Sequence, residues 1–217
     1  MTGKRRGSRT TRRPVAGPAA AQELPDGDLL RANTYMLLGA LLARAPTEEV
    51  TAALREIRRL PANESGSLAA AWETLRLAGE RAVDPEALDD EFHALFIGLG
   101  RGEVVPYGSW YLTGLLMDRP LALLRRDLDA LGFERKEGVG DPEDHAAALC
   151  ETMGLIIRSE DISFESQRGF FEEHVAPWMG TFFRDLQQAG SARFYRAVGE
   201  FGEQFMEFEQ QYLSMLA

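Results

Sequence analysis

The stretch FIGLGRGEVVPYGSWYLTG, residues 96–114, sets five glycines and a proline between two runs of helical periodicity. Its reading decides the fold. A nucleotide-binding glycine loop follows a strand and opens a helix, so that reading would make the chain α/β. A tight connection between two helices would leave it all-α. The residues favour the connection. Gly98, Gly100 and Gly102 follow a helical run, Glu103 stands where the third glycine of a dinucleotide fingerprint would fall, and no Walker lysine follows. Pro106 biases Val105 towards extended backbone. The expected path is a helix ending on glycines, an extended segment, and a new helix over WYLTGLLM capped by Ser109.

The flanking sequence supports that choice. DPEALDDEFHALF, residues 84–96, places Asp84 as an N-cap and Pro85 at the first helical position, with Leu88, Phe92, Leu95 and Phe96 on one face. DPEDHAAALCETMGLII, residues 141–157, repeats the device: Asp141 caps, Pro142 starts, and Leu149, Met153, Ile156 and Ile157 form the stripe. The run DLLRANTYMLLGALLAR is apolar nearly all round, as expected of a buried central helix. TEEVTAALREIRRL and SLAAAWETLRLAGE read as amphipathic helices separated by the breaker run PANESG. The last helix carries Phe201, Phe205, Phe208 and Tyr212 at core spacing. No alternating strand and no solenoid-length repeat is found. The expectation is an all-α fold: one compact helical domain of about nine to eleven helices, without sheet, over residues 28–217.

Composition bounds the function. At 217 residues and 45% hydrophobic content the chain can bury an ordinary core. Its longest apolar run, YMLLGALLA at 35–43, falls well short of the roughly 20 residues a membrane-spanning helix needs. Cys150 is the only cysteine, which excludes an intrachain disulfide and fits a reducing cytoplasm. Lys4, Arg5, Arg6, Arg9, Arg12 and Arg13 precede any acidic residue; the remainder sets 18 basic against 34 acidic residues, a net charge of −16. So acidic a body disfavours nucleic acid and suits a positively charged partner. The leader, residues 1–27, is rich in Arg, Pro and Gly and is expected to be disordered. Within it TRRPVAGPAAA has the form of a twin-arginine export signal, but lacks the roughly 7 to 15 apolar residues of such a signal.

Conventional catalysis finds little support. His93, His145 and His174 have no metal-ligand spacing, and Glu143 and Asp144 are placed where a helix's first turn favours acids. His145 falls on the apolar stripe of its helix, where its ring must find a partner or border a groove. A transcriptional regulator would need a helix-turn-helix near its start, and none is present.

Taken together, EFHALFIGLGRGEVVPYGSWY and, some 30 residues later, DPEDHAAALCETMGLI resemble the TorD/DmsD family of redox-enzyme maturation chaperones in order and spacing. The matching positions are Phe92, Leu95, Phe96, Gly98 and Gly100, then Pro106, Tyr107, Gly108, Ser109 and Tyr111, then Glu143, Asp144 and His145. FFEEHVAPWMGTFF, downstream, also resembles the family. Tyr107 stands where several members carry Trp. The resemblance implies a TorD-like helical chaperone, not an enzyme, that is cytoplasmic and binds the twin-arginine signal peptide and body of a molybdopterin-dependent oxidoreductase subunit, delaying export until the cofactor is inserted. An assembly adaptor for a non-exported molybdoenzyme is the alternative. Client-binding residues are then expected at Tyr35, Leu95, Phe96, Gly98, Gly100, Pro106, Tyr107, Ser109, Tyr111, Glu143, Asp144 and His145. No catalytic residue, metal or cofactor is expected; guanine nucleotide, which the resemblance allows, finds no phosphate loop here. A monomer or a domain-swapped dimer would both suit the family.

Overall fold

In the computed structural model the described residues are 10–12, 24–57, 66–98, 101–135 and 140–215. Gly100 and most of the leader therefore lie outside the described residues. Helices account for most of the described residues. They are α1 (Asp26–Ala43), α2 (Glu48–Arg55), α3 (Ser67–Arg81), α4 (Pro85–Phe92), α5 (Gly108–Thr113), α6 (Arg119–Ala130), α7 (Ala146–Arg158), α8 (Phe164–His174), α9 (Met179–Gln188) and α10 (Phe194–Met215). The only paired strands among the described residues are β1 (Thr10–Arg12) and β2 (Phe133–Arg135), antiparallel to each other. The all-α expectation holds with this short ribbon as an addition. Two stretches assigned to the leader are ordered differently from expectation: Thr10–Arg12 forms β1, and α1 begins at Asp26 rather than Asp28.

Apolar patterning explains the packing. α1 lies along α7, and α10 lies along α9 and α3. Leu38, Leu41 and Leu42 of α1 meet the fully buried Leu149, Met153, Ile156 and Ile157 of α7 in one core, as the stripe over 149–157 predicts. Cys150 sits in that core, where burial raises its thiol pKa well above the usual value, so it behaves as a small hydrophobe. Asp84 accepts hydrogen bonds from the Glu86 and Ala87 amides, with Pro85 opening α4, as its sequence implies. Phe201 and Phe205 are core, but Phe208 is 38% exposed, contrary to expectation. It instead continues a stack from Phe205 to Tyr212 along the outer face of α10.

This core encloses an ion pair. Arg31 of α1 donates to both carboxylate oxygens of Glu209 of α10, at 2.6 and 2.9 Å, and both side chains are buried. Burial opposes the guanidinium charge, but the bonds to Glu209 and Asp28 outweigh it and hold the pKa above the ordinary arginine value. The Tyr212 ring covers the same guanidinium at 4.4 Å. The pair ties the first long helix to the last.

Candidate functional site

The glycines of 96–114 are used by the chain on itself. After α4 the helix widens into a π-turn, His93–Ile97, which Gly98 ends at φ 57° with its amide donating to the His93 carbonyl at 2.7 Å. The chain then doubles back, and the Val104 amide donates to the Leu95 carbonyl at 2.9 Å. A Cβ at Gly102 would lie 2.4 Å from that carbonyl oxygen, so only glycine permits the approach. Gly98 and Gly102 thus make a backbone corner.

Beyond the corner, Pro106, Tyr107 and Gly108 run beside residues 141–146. The Gly108 amide donates to the Asp144 carbonyl and the Ala146 amide to the Pro106 carbonyl, at 2.9 and 2.8 Å, forming an antiparallel bridge between Tyr107 and His145. This pairing corrects two expectations. α7 does not start at Pro142: the His145 amide closes a turn on the Pro142 carbonyl, Asp144 and Ala146 are taken by the bridge, and His145 caps the helix by accepting the Ala147 amide on Nδ1 at 3.1 Å. Nor does Ser109 cap α5. The Asp144 carboxylate does so from outside, its Oδ2 accepting the buried Ser109 amide at 2.8 Å. The Tyr107 ring meets His145 edge-on at 5.0 Å, and its hydroxyl donates to Asp141. Glu143 is held by Arg125 at 2.8 Å; partial burial pushes its pKa up, but the Arg125 hydrogen bonds and the charges of Arg125 and Arg135 outweigh it and hold the carboxyl below the usual glutamate value.

α5 is shorter than WYLTGLLM implies. Gly114 takes φ 78° and stops the helix at Thr113, so Leu115, Leu116 and Met117 leave the helix instead of completing its apolar face. With Leu112 they form an exposed apolar lip, at 63%, 51%, 72% and 41% exposure for Leu115, Leu116, Met117 and Leu112. Met117 itself has φ 56°, a strained value for a side chain of its size. The lip is anchored to the site: the Ser109 hydroxyl accepts the Met117 amide at 3.2 Å, and the Thr113 hydroxyl donates to the Ser109 carbonyl. Asp144, Ser109 and the lip are thus one connected unit.

Behind the lip is a cavity of about 170 Å³, walled by Gly108, Leu112, Leu124, Asp144, His174 and Trp178, among others. Asp144 is 3% exposed, and its second oxygen, Oδ1, has no hydrogen-bond partner among the described residues. Such a buried acceptor is costly unless something donates to it. Trp178 fixes one wall by donating Nε1–H to the His174 carbonyl at 2.9 Å and stacking on Tyr111 at 5.5 Å. His174 is in turn paired with Asp127 at 2.8 Å. A larger cavity, about 650 Å³, lies between α3, α4 and the start of α10. Its Glu91 is already engaged, accepting the Arg193 and Tyr195 amides at 2.8 Å, and so caps α10.

The structure therefore brings together Pro106, Tyr107, Ser109, Tyr111, Glu143, Asp144 and His145. It separates Tyr35 and Leu95 from any surface: Tyr35 is fully buried against Phe205, with ring centroids 4.8 Å apart, and Leu95 is fully buried. Neither can touch a client, and both support the scaffold from within. Phe96 is half-buried on Phe92 and Tyr195. The lip, Trp178 and His174 were not singled out as site residues by the sequence. Gly114 was the available signal, since a glycine within an apolar helical run marks where the helix can end. No group of His, Cys, Asp and Glu among the described residues is arranged to hold a metal ion, and none of their helices is long and apolar enough to cross a membrane.

A family model described as nitrate reductase delta subunit matches residues 61–184. The chain is 26% identical to chaperone protein TorD of Vibrio parahaemolyticus, with 88% of this chain and 98% of that one covered. It is also 26% identical to chaperone protein TorD of Aliivibrio salmonicida, with 85% and 94% covered. Among solved structures it resembles a protein from Archaeoglobus fulgidus described as a redox enzyme maturation protein, with a TM-score of 0.54 at 18% identity over 82% of this chain and 94% of that one. At that identity the likeness is one of fold.

Proposed function

The chain belongs to the nitrate reductase delta subunit family, in its TorD/DmsD group of redox-enzyme maturation chaperones, and from that membership we propose that it binds the twin-arginine signal peptide of a molybdopterin-dependent oxidoreductase precursor in the cytoplasm. The observation that carries the reading is the pairing of the exposed lip at Leu112, Leu115, Leu116 and Met117 with a cavity holding an unpartnered Asp144 oxygen. A twin-arginine signal offers both complements: an apolar run for the lip and guanidinium donors for a carboxylate. The net charge of −14 outside the leader, 18 basic against 32 acidic residues, steers such a cation inward.

The energies are sufficient. Each Leu-sized anchor contributes about 1.5 to 3 kcal/mol on burial, and micromolar affinity needs about 8 kcal/mol. Three or four anchors with one charge-assisted contact reach that after the cost of ordering the peptide. Asp144 and His145 serve as polar orientation in this account, with no proton transfer. The test is calorimetric titration of a synthetic twin-arginine signal peptide. Leu115→Ser or Leu116→Ser should raise Kd about ten- to a hundredfold while stability stays within about 0.5 kcal/mol, as for other exposed positions. Unchanged affinity in both variants would remove the lip from the site.

A further inference from the structure

Neither the fold nor the site accounts for the twin-arginine-like run of the leader. Yet part of it is placed. Thr10, Thr11 and Arg12 stand in antiparallel register with Arg135, Glu134 and Phe133, and β1 is the only strand among the described residues paired with β2. Gly132, at φ 77°, ends α6 and turns the chain into β2, leaving a strand whose edge is open to pairing. That edge adjoins the site. The Arg135 guanidinium donates to the Asp141 carbonyl at 3.3 Å and lies 3.8 Å from Glu143, two residues before the bridge to Tyr107. Thr10–Arg12 is thus seated on the strand whose Arg135 reaches residues 141 and 143.

We propose that the edge of β2 is a strand-addition site for the arginine-bearing segment of a client signal, and that the leader occupies it as a built-in competitor. The inference rests on the signal-binding reading above. Main-chain ladder bonds accept any extended segment, so a strand of this chain and a strand of a client can exchange there. Charge favours both, because the leader carries six basic residues and no acid before Glu23, and the rest of the chain is of opposite sign. The two occupants differ in one respect. The leader has arginines but no apolar run to cover Leu115, Leu116 and Met117, whereas a complete signal has both and displaces it. The leader then keeps non-client segments off the edge and sets a threshold for binding.

The test uses the full chain with Thr10→Pro and Thr11→Pro together. Successive strand amides alternate towards and away from the partner, so one of the two prolines removes a ladder donor whichever phase holds. A synthetic twin-arginine signal peptide should bind this variant about two- to tenfold more tightly than the unaltered chain, the factor being the inverse of the fraction of open edges. Arg12→Ala with Arg13→Ala should give the same direction of change, larger at low salt. A peptide of residues 1–22 should compete the signal off the proline variant. Equal affinity for the unaltered chain and both variants, with no competition by that peptide, overturns the competitor while leaving the signal site intact. A signal peptide that binds none of the three proteins overturns the signal-binding reading, and the competition with it.

Discussion

Asp144→Ala should both destabilise the protein and weaken client binding, whereas Asp144→Asn should separate the two. The Asp144 carboxylate accepts the buried Ser109 amide at 2.8 Å, and through the Ser109 hydroxyl it positions Met117 of the lip. Alanine leaves that amide without an acceptor at a cost of about 1 to 3 kcal/mol. Asparagine keeps an acceptor oxygen but removes the charge that would meet a guanidinium. The expected pattern is a lowered denaturation midpoint for alanine, a near-normal one for asparagine, and reduced affinity for a twin-arginine peptide in both. An asparagine variant that binds as the unaltered protein does would show that the carboxylate caps α5 and takes no part in recognition.

Glu209→Gln should be among the most damaging single changes in the chain. It leaves Arg31, 2% exposed, without its bidentate partner inside the core, with Asp28 at 2.7 Å as its remaining anionic contact. Breaking a buried ion pair from one side costs about 3 to 5 kcal/mol. Urea denaturation should show a midpoint shift of that size at an unchanged slope. The double change Arg31→Met with Glu209→Leu should recover most of the loss, since well-packed apolar replacements of such pairs are often neutral. A loss below about 1 kcal/mol for Glu209→Gln would mean that water reaches the pair.

The extent of the sequence's information follows from what kind of interaction set each element. Local signals sufficed where the helix itself supplied the bonds. Asp84 with Pro85 opened α4, and the stripe Leu149, Met153, Ile156 and Ile157 identified the buried face of α7. They failed where a distant segment took the backbone bonds. Residues 141–145 have a good helix start of their own, but the pairing of Asp144 and Ala146 with Pro106 and Gly108 displaced it by several residues. Ser109 looked like a cap because the capping carboxylate, Asp144, comes from 35 positions away. Tyr35 and Leu95 are expected at the site, Leu95 for its place on an apolar face, but burial removes both from any surface. The lip was hidden in an apolar run that helical periodicity absorbs, until Gly114 breaks it.

Photo-crosslinking to a twin-arginine signal peptide tests the central claim most directly, with a benzophenone side chain placed at position 116 and, as a matched control, at position 83. Leu116 lies on the lip, and Val83 is an equally apolar residue, 75% exposed, beside the larger cavity. Signal recognition at the lip predicts saturable labelling of the peptide from position 116, shifted to higher peptide concentration by Asp144→Asn, and only background labelling from position 83. Labelling from position 83 alone, or equally from both, would contradict it.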